Sequence, residues 1–367
     1  MDRFRLGHST ATPWQQAADE CLAQIGAIPA DANLGFIYAT DQLATEFGAI
    51  LRHLKAHTRI EHWTGTLGVA ICCSGTEYYD QPALAVLIAG FPDGSFRMLN
   101  VPGPSAANDT RSRDNGVQVA LVHGDPRNHQ LADIIERMPA QLGNGFLVGG
   151  LTSSRSYHYQ VADEITEGQL SGVIFDSRVP VVSGLTQGCS VIGEVHTVTE
   201  CDRNVAIRID ERPALDVFND EIGEVLARDL ERIAGYIFAG FPVRGTDTGD
   251  YLVRPITGID ADRRLLAVGD LLSAGQSIVF CRRDSDTAVT DLRRMLDSVK
   301  GRLDGVPHGG IYFTCLGRGQ QMFGTPSREM QYIAEVLGDV PLVGFYANGE
   351  ISGNQLYGYT GVLTLFQ

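Results

Sequence analysis

Apolar and polar positions along the chain spell the same motif three times. The first copy opens with the apolar run Leu34-Gly35-Phe36-Ile37-Tyr38. Leu43, Phe47, Ile50, Leu51 and Leu54 follow at helical spacing, and a second apolar run, Gly68-Val69-Ala70-Ile71, leads to Cys73-Ser74-Gly75-Thr76-Glu77. The second copy runs from Val117 through Leu131, Ile134, Ile135 and Met138 to Phe146-Leu147-Val148, and turns at Gly149-Gly150-Leu151-Thr152-Ser153. The third has Ile311-Tyr312-Phe313, then Met330, Ile333 and Leu337, then Leu342-Val343, and turns at Gly344-Phe345-Tyr346-Ala347-Asn348-Gly349-Glu350. Strand, helix, strand, glycine-rich elbow predicts parallel strand units, whose carboxyl edges are where α/β proteins hold small ligands.

Around these copies the pattern predicts further elements. Thr12-Pro13-Trp14-Gln15 predicts a helix start, with Thr12 as N-cap and Gln15 closing a capping box; Trp14, Ala18, Cys21, Leu22 and Ile25 form its apolar face. Residues 81–99 predict two strands joined as a hairpin by Pro92-Asp93-Gly94. Residues 102–115 are polar and turn-rich, as a loop would be. From 172 to 209 the runs are short and β-like, with a bend or loop over 186–193. Arg212-Pro213 opens a long helix carrying Leu215, Phe218, Ile222, Leu226, Leu230 and Ile233, and the domain boundary is placed before it. The predicted fold is α/β with two domains: strand-helix-strand units in mixed sheets around a β-rich central segment. The segments are an N-terminal helix (1–32), a first domain (33–211) and a second (212–367).

Composition narrows the function. The 367 residues are 44% hydrophobic and 20% charged, the balance of an ordinary globular protein. A net charge of −15 speaks against a nucleic-acid partner. Lys55 and Lys300 are the only lysines, so Schiff-base and P-loop chemistry have almost no candidates. The seven cysteines contain no C-x-x-C pair, which argues against a disulfide framework or zinc site and for a reducing cytoplasm. No signal-peptide pattern and no membrane-length apolar run is present, and no cofactor or metal motif occurs.

Candidate chemistry sits at the elbows and on one loop. Cys315-Leu316-Gly317-Arg318-Gly319 follows a strand and precedes the helix start Thr325-Pro326, a geometry that cradles anions. Arg318 is suited to clamp a carboxylate. Glu77 and Glu350 follow elbow glycines and are suited to a ligand ammonium or hydroxyl; as turn residues they would instead be solvated or cap a helix. Cys315 is either a small buried residue or a reactive thiol, and His123 matches it by repeat position.

Taken in order, Gly65-Thr66-Leu67-Gly68 through Glu77, Gly149-Gly150-Leu151, and 186–193 resemble the FIST family, with its N-terminal and C-terminal domains. So do Arg212-Pro213-Ala214-Leu215-Asp216-Val217, Tyr251-Leu252-Val253-Arg254, Val268-Gly269-Asp270, Cys315-Leu316-Gly317-Arg318-Gly319 and Gly344–Ile351. The resemblance covers about residues 33 to 366. It implies a bacterial, cytoplasmic sensory protein of signal transduction that binds a small ligand, an amino acid or other small carboxylate. No kinase, cyclase, chemoreceptor or F-box segment is visible, so such a partner would be supplied separately. The family supplies no catalytic residues. The expected ligand site lies between the two domains and is lined by Cys73, Ser74, Glu77, Thr152, Ser153, Gln187, Cys315, Arg318, Asn348 and Glu350. Two alternatives stay open: an enzyme with Cys315 as its thiol, and an interaction scaffold.

Overall fold

A computed structural model describes residues 3–101, 116–143, 145–223, 235–243 and 250–367. The expected loop at 102–115 and the second half of the long helix expected from Arg212 lie outside them. The chain forms two compact units. One is discontinuous, Met1–Gln187 with Val289–Gln367; the other is Gly188–Ala288. The sequence boundary at 211/212 therefore falls inside the second unit.

The first unit is built from the three copies, each longer than the pattern shows. Copy one runs β1 (Arg5–Ser9), α1 (Trp14–Ile25), β2 (Leu34–Thr40), α2 (Phe47–Thr58), β3 (His62–Gly68), β4 (Ala70–Cys73), β5 (Thr76–Tyr79) and β6 (Leu84–Ala89). Copy two runs β7 (Phe96–Val101), β8 (Val117–Gly124), α3 (Leu131–Gln141), β9 (Phe146–Leu151), β10 (Gln160–Ala162), β11 (Glu164–Thr166) and β12 (Leu170–Asp176). Copy three opens with β13 (Val181–Gln187) and is then interrupted by the second unit.

That unit carries β14 (Cys189–Asp202), β15 (Val205–Ile209), β16 (Arg212–Pro213), α4 (Ala214–Ile222), β17 (Ile237–Pro242), β18 (Tyr251–Asp260), β19 (Leu265–Val268) and β20 (Ser277–Arg283). Its sheet has the order β14-β20-β17-β18-β19-β15, and β14 also pairs with β15, so the strands close on themselves as a barrel. Phe218 of α4 packs edge-on against Phe280 inside it, 5.0 Å between ring centroids. Copy three resumes with α5 (Ser285–Gly301), β21 (Gly309–Cys315), α6 (Gln320–Phe323), α7 (Arg328–Leu337), β22 (Leu342–Ala347), β23 (Glu350–Ser352), β24 (Gln355–Tyr357) and β25 (Thr360–Phe366).

Each copy makes its own parallel pair, β2 with β3, β8 with β9 and β21 with β22, but no copy completes its own sheet. The orders are β1-β6-β2-β3-β10-β11, β7-β12-β8-β9-β23-β24 and β13-β25-β21-β22-β4-β5. The hairpin of copy one thus finishes the sheet of copy three, that of copy two finishes copy one, and that of copy three finishes copy two. The elbows are the crossings between sheets. The next strand then returns to its own sheet antiparallel, so one parallel pair per sheet is all the motif yields.

One face of each of these three sheets meets a shared core containing Phe36, Tyr38, Leu121, Phe175, Phe313, Phe345 and Phe366. The opposite faces are covered by α1 and α2, by α3, and by α5 and α7. Strands such as β2 and β25 are accordingly buried along their whole length and show no apolar-polar alternation.

Three local expectations change. The strands predicted as a hairpin in 81–99 are β6 and β7, and they do not pair; β6 lies between β1 and β2, and β7 beside β12. The turn forms, with Ser95 N–H donating to Pro92 C=O at 3.0 Å, but it carries the chain from one sheet to another. The helix α1 starts at Trp14 after a cis Thr12–Pro13 bond and has no side-chain cap. The bend expected at 186–193 is strand on both sides of Gly188.

Candidate functional site

All ten residues expected to line the site belong to the first unit. The clearest chemistry is at the carboxyl end of β21. The loop after Cys315 bends at Gly319 into the single turn of α6, and α7 begins at Arg328. Glu329, in the first turn of α7 and fully buried, points back at this loop. Its Oε1 accepts from the Tyr312 hydroxyl at 2.7 Å and from Arg318 Nε at 2.8 Å. Its Oε2 accepts from Gly319 N–H at 3.1 Å, and Thr314 Oγ1 donates to the carboxylate at 3.2 Å. The loop amide expected to cradle a ligand anion is therefore already held by an internal carboxylate.

Arg318 is 1% exposed. Its Nε is committed to Glu329, and its guanidinium carbon lies 5.2 Å from the Phe323 ring centroid. Both terminal nitrogens, Nη1 and Nη2, have no hydrogen-bond partner among the described residues. Glu329 balances the charge, but four N–H donors stay unsatisfied in an interior where each carries a desolvation penalty.

Glu350, at the start of β23, is also fully buried. Its Oε2 accepts from Thr360 N–H at 3.2 Å and from Thr360 Oγ1 at 2.7 Å, while Oε1 has no hydrogen-bond partner among the described residues. Burial pushes its carboxyl up to about 8, against the pull of the Thr360 bonds and of nearby Arg318. Cys315 lies beside it; burial first, and then the Glu350 charge, push the thiol up. That is the opposite of the activation a reactive thiol needs. His123 offers no help: Tyr38 and Thr64 engage its two ring nitrogens at 2.9 and 3.4 Å, and burial lowers it to about 3.

Gln187 ends β13 opposite Thr360, the residue that holds Glu350. Its side-chain oxygen and the Thr186 hydroxyl are buried without partners among the described residues. Arg318, Glu350, Cys315 and Gln187 thus gather near the carboxyl end of β21, with Glu350 reaching it from β23 of the neighbouring sheet.

The remaining expected residues go elsewhere. Glu77 caps α7: its carboxylate accepts from Ser327 N–H at 3.1 Å and Met330 N–H at 3.4 Å. Burial and then the Glu329 charge raise it to about 7. Cys73 is in the shared core, where burial raises its thiol to about 12. Ser74 Oγ bridges Val340 C=O and Leu342 N–H at 2.8 and 2.9 Å, at the opposite end of β22. Thr152 bonds Thr66 Oγ1 at 2.7 Å, Ser153 donates to Tyr346 C=O, and Asn348 is exposed.

Sequence reasoning missed Glu329, Tyr312, Thr314 and Thr360. An acidic residue one turn into the helix after a Gly-Arg-Gly loop was the available signal for Glu329. Among the described residues, no group of three or more His, Cys, Asp and Glu side chains is placed to hold a metal ion, and no helix is long and apolar enough to cross a membrane.

Comparison with known proteins gives the family. The FIST N domain model matches residues 33–212 and the FIST C domain model residues 214–353. An uncharacterized protein of Mycobacterium tuberculosis is 30% identical over 389 residues, covering 99% of each chain. An uncharacterized protein of Mycobacterium bovis is 29% identical over 388 residues, covering 99% of this chain and 98% of its own.

Proposed function

This chain belongs to the FIST family, whose domains are sensory modules for small ligands in signal transduction, and on that premise we propose that it binds a small carboxylate at the end of β21. The ligand, an amino acid or another small carboxylic acid, places its carboxylate on Arg318. Glu350, Cys315 and Gln187 surround the rest of it. The protein works in the cytoplasm and passes its ligand state to a separate signalling protein such as a kinase, cyclase or chemoreceptor.

One observation carries this reading: a fully buried guanidinium whose two terminal nitrogens have no acceptor among the described residues. A carboxylate is the group whose two oxygens match that fork. Seven cysteines, all free, suit a reducing compartment. The test is a calorimetric and thermal-shift screen of the full chain against amino acids and small carboxylates. Binding that weakens by about tenfold or more in Arg318→Lys, which keeps the charge but loses the fork, supports the site. Absence of binding by every compound, or unchanged affinity in Arg318→Lys, rejects it.

A further inference from the structure

Arg318 and Glu350 invite the thought of a zwitterion, with the ligand carboxylate on one and its ammonium on the other. The surroundings of Glu350 speak against that division. Among the described residues no cation forms an ion pair with it: Arg318 spends Nε on Glu329. The groups that act on Glu350 are Thr360 from β25, the Cys315 thiol from β21 and Arg318 from the loop; Tyr357 of β24 is its register partner. Only Arg318 is a cation, and it makes no direct bond to the carboxyl. A fully buried carboxyl without a contacting cation is carried neutral. As a neutral acid it presents one acceptor and one O–H donor, and Oε1 is the atom with no hydrogen-bond partner among the described residues. Gln187 Oε1 and Thr186 Oγ1, both buried and without partners among the described residues, add neutral polar capacity and no charge.

We propose that the site prefers small carboxylates bearing a neutral oxygen substituent, 2-hydroxy or 2-oxo acids, over the corresponding 2-amino acids. The inference rests on the ligand reading above and deepens it. Arg318 takes the carboxylate, and the neutral Glu350 carboxyl exchanges a hydrogen bond with the hydroxyl or carbonyl oxygen. An ammonium in the same place must either sit buried against a neutral acid or force Glu350 to release its proton. Burial of Glu350 raises it to about 8, so that release has a cost at neutral pH. An amino acid would thus bind with proton release and gain affinity as pH rises, whereas a hydroxy acid would not.

The test is titration calorimetry on the full chain with carbon-matched sets: lactate, pyruvate and alanine, and their longer homologues. At pH about 6 the hydroxy and oxo acids are expected to bind about tenfold or more tighter than the amino acid of equal length. In Glu350→Gln, which has no carboxyl proton to release, amino-acid affinity should lose its rise with pH and the hydroxy acids should remain the tighter ligands. Tighter binding of the amino acids, with proton release and loss in Glu350→Gln, overturns the preference and leaves the ligand site standing. Absence of binding by every set overturns both.

Discussion

The loops after the first strand of each parallel pair occupy the same place in three copies, yet their charges are arranged in two ways. In copies one and two the loop carries a buried aspartate held by an arginine fork. Asp41 takes Arg155 Nε and Nη2, each at 2.9 Å, and Asp125 takes Arg127 Nε at 3.0 Å and Nη2 at 2.6 Å. Backbone N–H groups of Arg155, Arg127 and Gly168 complete them. In copy three the polarity is inverted: the arginine is buried, the acid comes from a helix, and only Nε of the guanidinium is used. Repetition alone therefore does not make a site. In two copies the loop aspartate is closed internally, and in the third the loop arginine keeps donors unspent in the interior among the described residues.

The largest expected effect is at the hub of the third copy. Glu329→Ala leaves the Arg318 charge buried without its partner, and should cost about 3–5 kcal/mol in a denaturant titration. A loss near that of an exposed pair would mean that Arg318 escapes to solvent. The next effect should fall equally on all three copies. A Cβ at Gly65, Gly149 or Gly344 would sit 1.8, 2.0 or 1.7 Å from the carbonyl oxygen of Ile37, Val122 or Tyr312, on the strand beside it. Because the obstacle is backbone, Gly→Ala at each should cost about 3 kcal/mol, the top of the usual range for overpacking. Unequal losses would show that the copies differ in their strand pairs as well as in their loops.

A smaller effect is expected at the closed loops. Asp41→Ala removes three accepted bonds, but Arg155 is half-exposed and swings into water, so about 1–2 kcal/mol should be lost. Ligand affinity should not change, since Asp41 belongs to a different sheet end.

The repeat itself was legible because apolar periodicity distinguishes strand from helix, and the strand-helix-strand order survives in each copy. The hairpin exchange was not. Nothing in Ala70–Cys73 or Glu350–Ser352 encodes which sheet edge they join; that is decided where the chain closes three sheets around one core. The barrel went unread because its strands alternate in short runs that fit any β-rich segment. In the proposed site, Arg318, Cys315 and Glu350 were legible as polar residues beside glycines at strand ends. Glu77 and Ser74 carry the same local signature, and only tertiary bonding separates a helix cap and a strand bridge from a ligand contact. Glu329 was legible only as an acid in a first helix turn; its partnership with Arg318 depends on a helix folding back over the loop before it.

The finest contrast between closed and open copies is the sign of a pH slope. Asp41 is held below the ordinary carboxylate value: burial pushes it up, and the Arg155 fork more than offsets this. Its contribution is present above the ordinary value of 3.8 and is lost as pH falls through its folded value. The stability difference between wild type and Asp41→Asn should therefore shrink on acidification. Glu350 runs the other way. Its folded value is about 8 against an ordinary 4.5, so between these the folded state holds the extra proton. Stability is then greatest at the acid end of that window and falls as pH rises through it. The difference between wild type and Glu350→Gln should fall over the same window and flatten above it. Near pH 5 the substitution should change stability by less than about 1 kcal/mol, because a neutral amide replaces a neutral acid. Glu77, raised to about 7, adds a slope of the same sign to both proteins and cancels in the difference. A Glu350 slope of the Asp41 sign would mean that Arg318 pairs with Glu350 in solution, and that the third copy is closed like the other two.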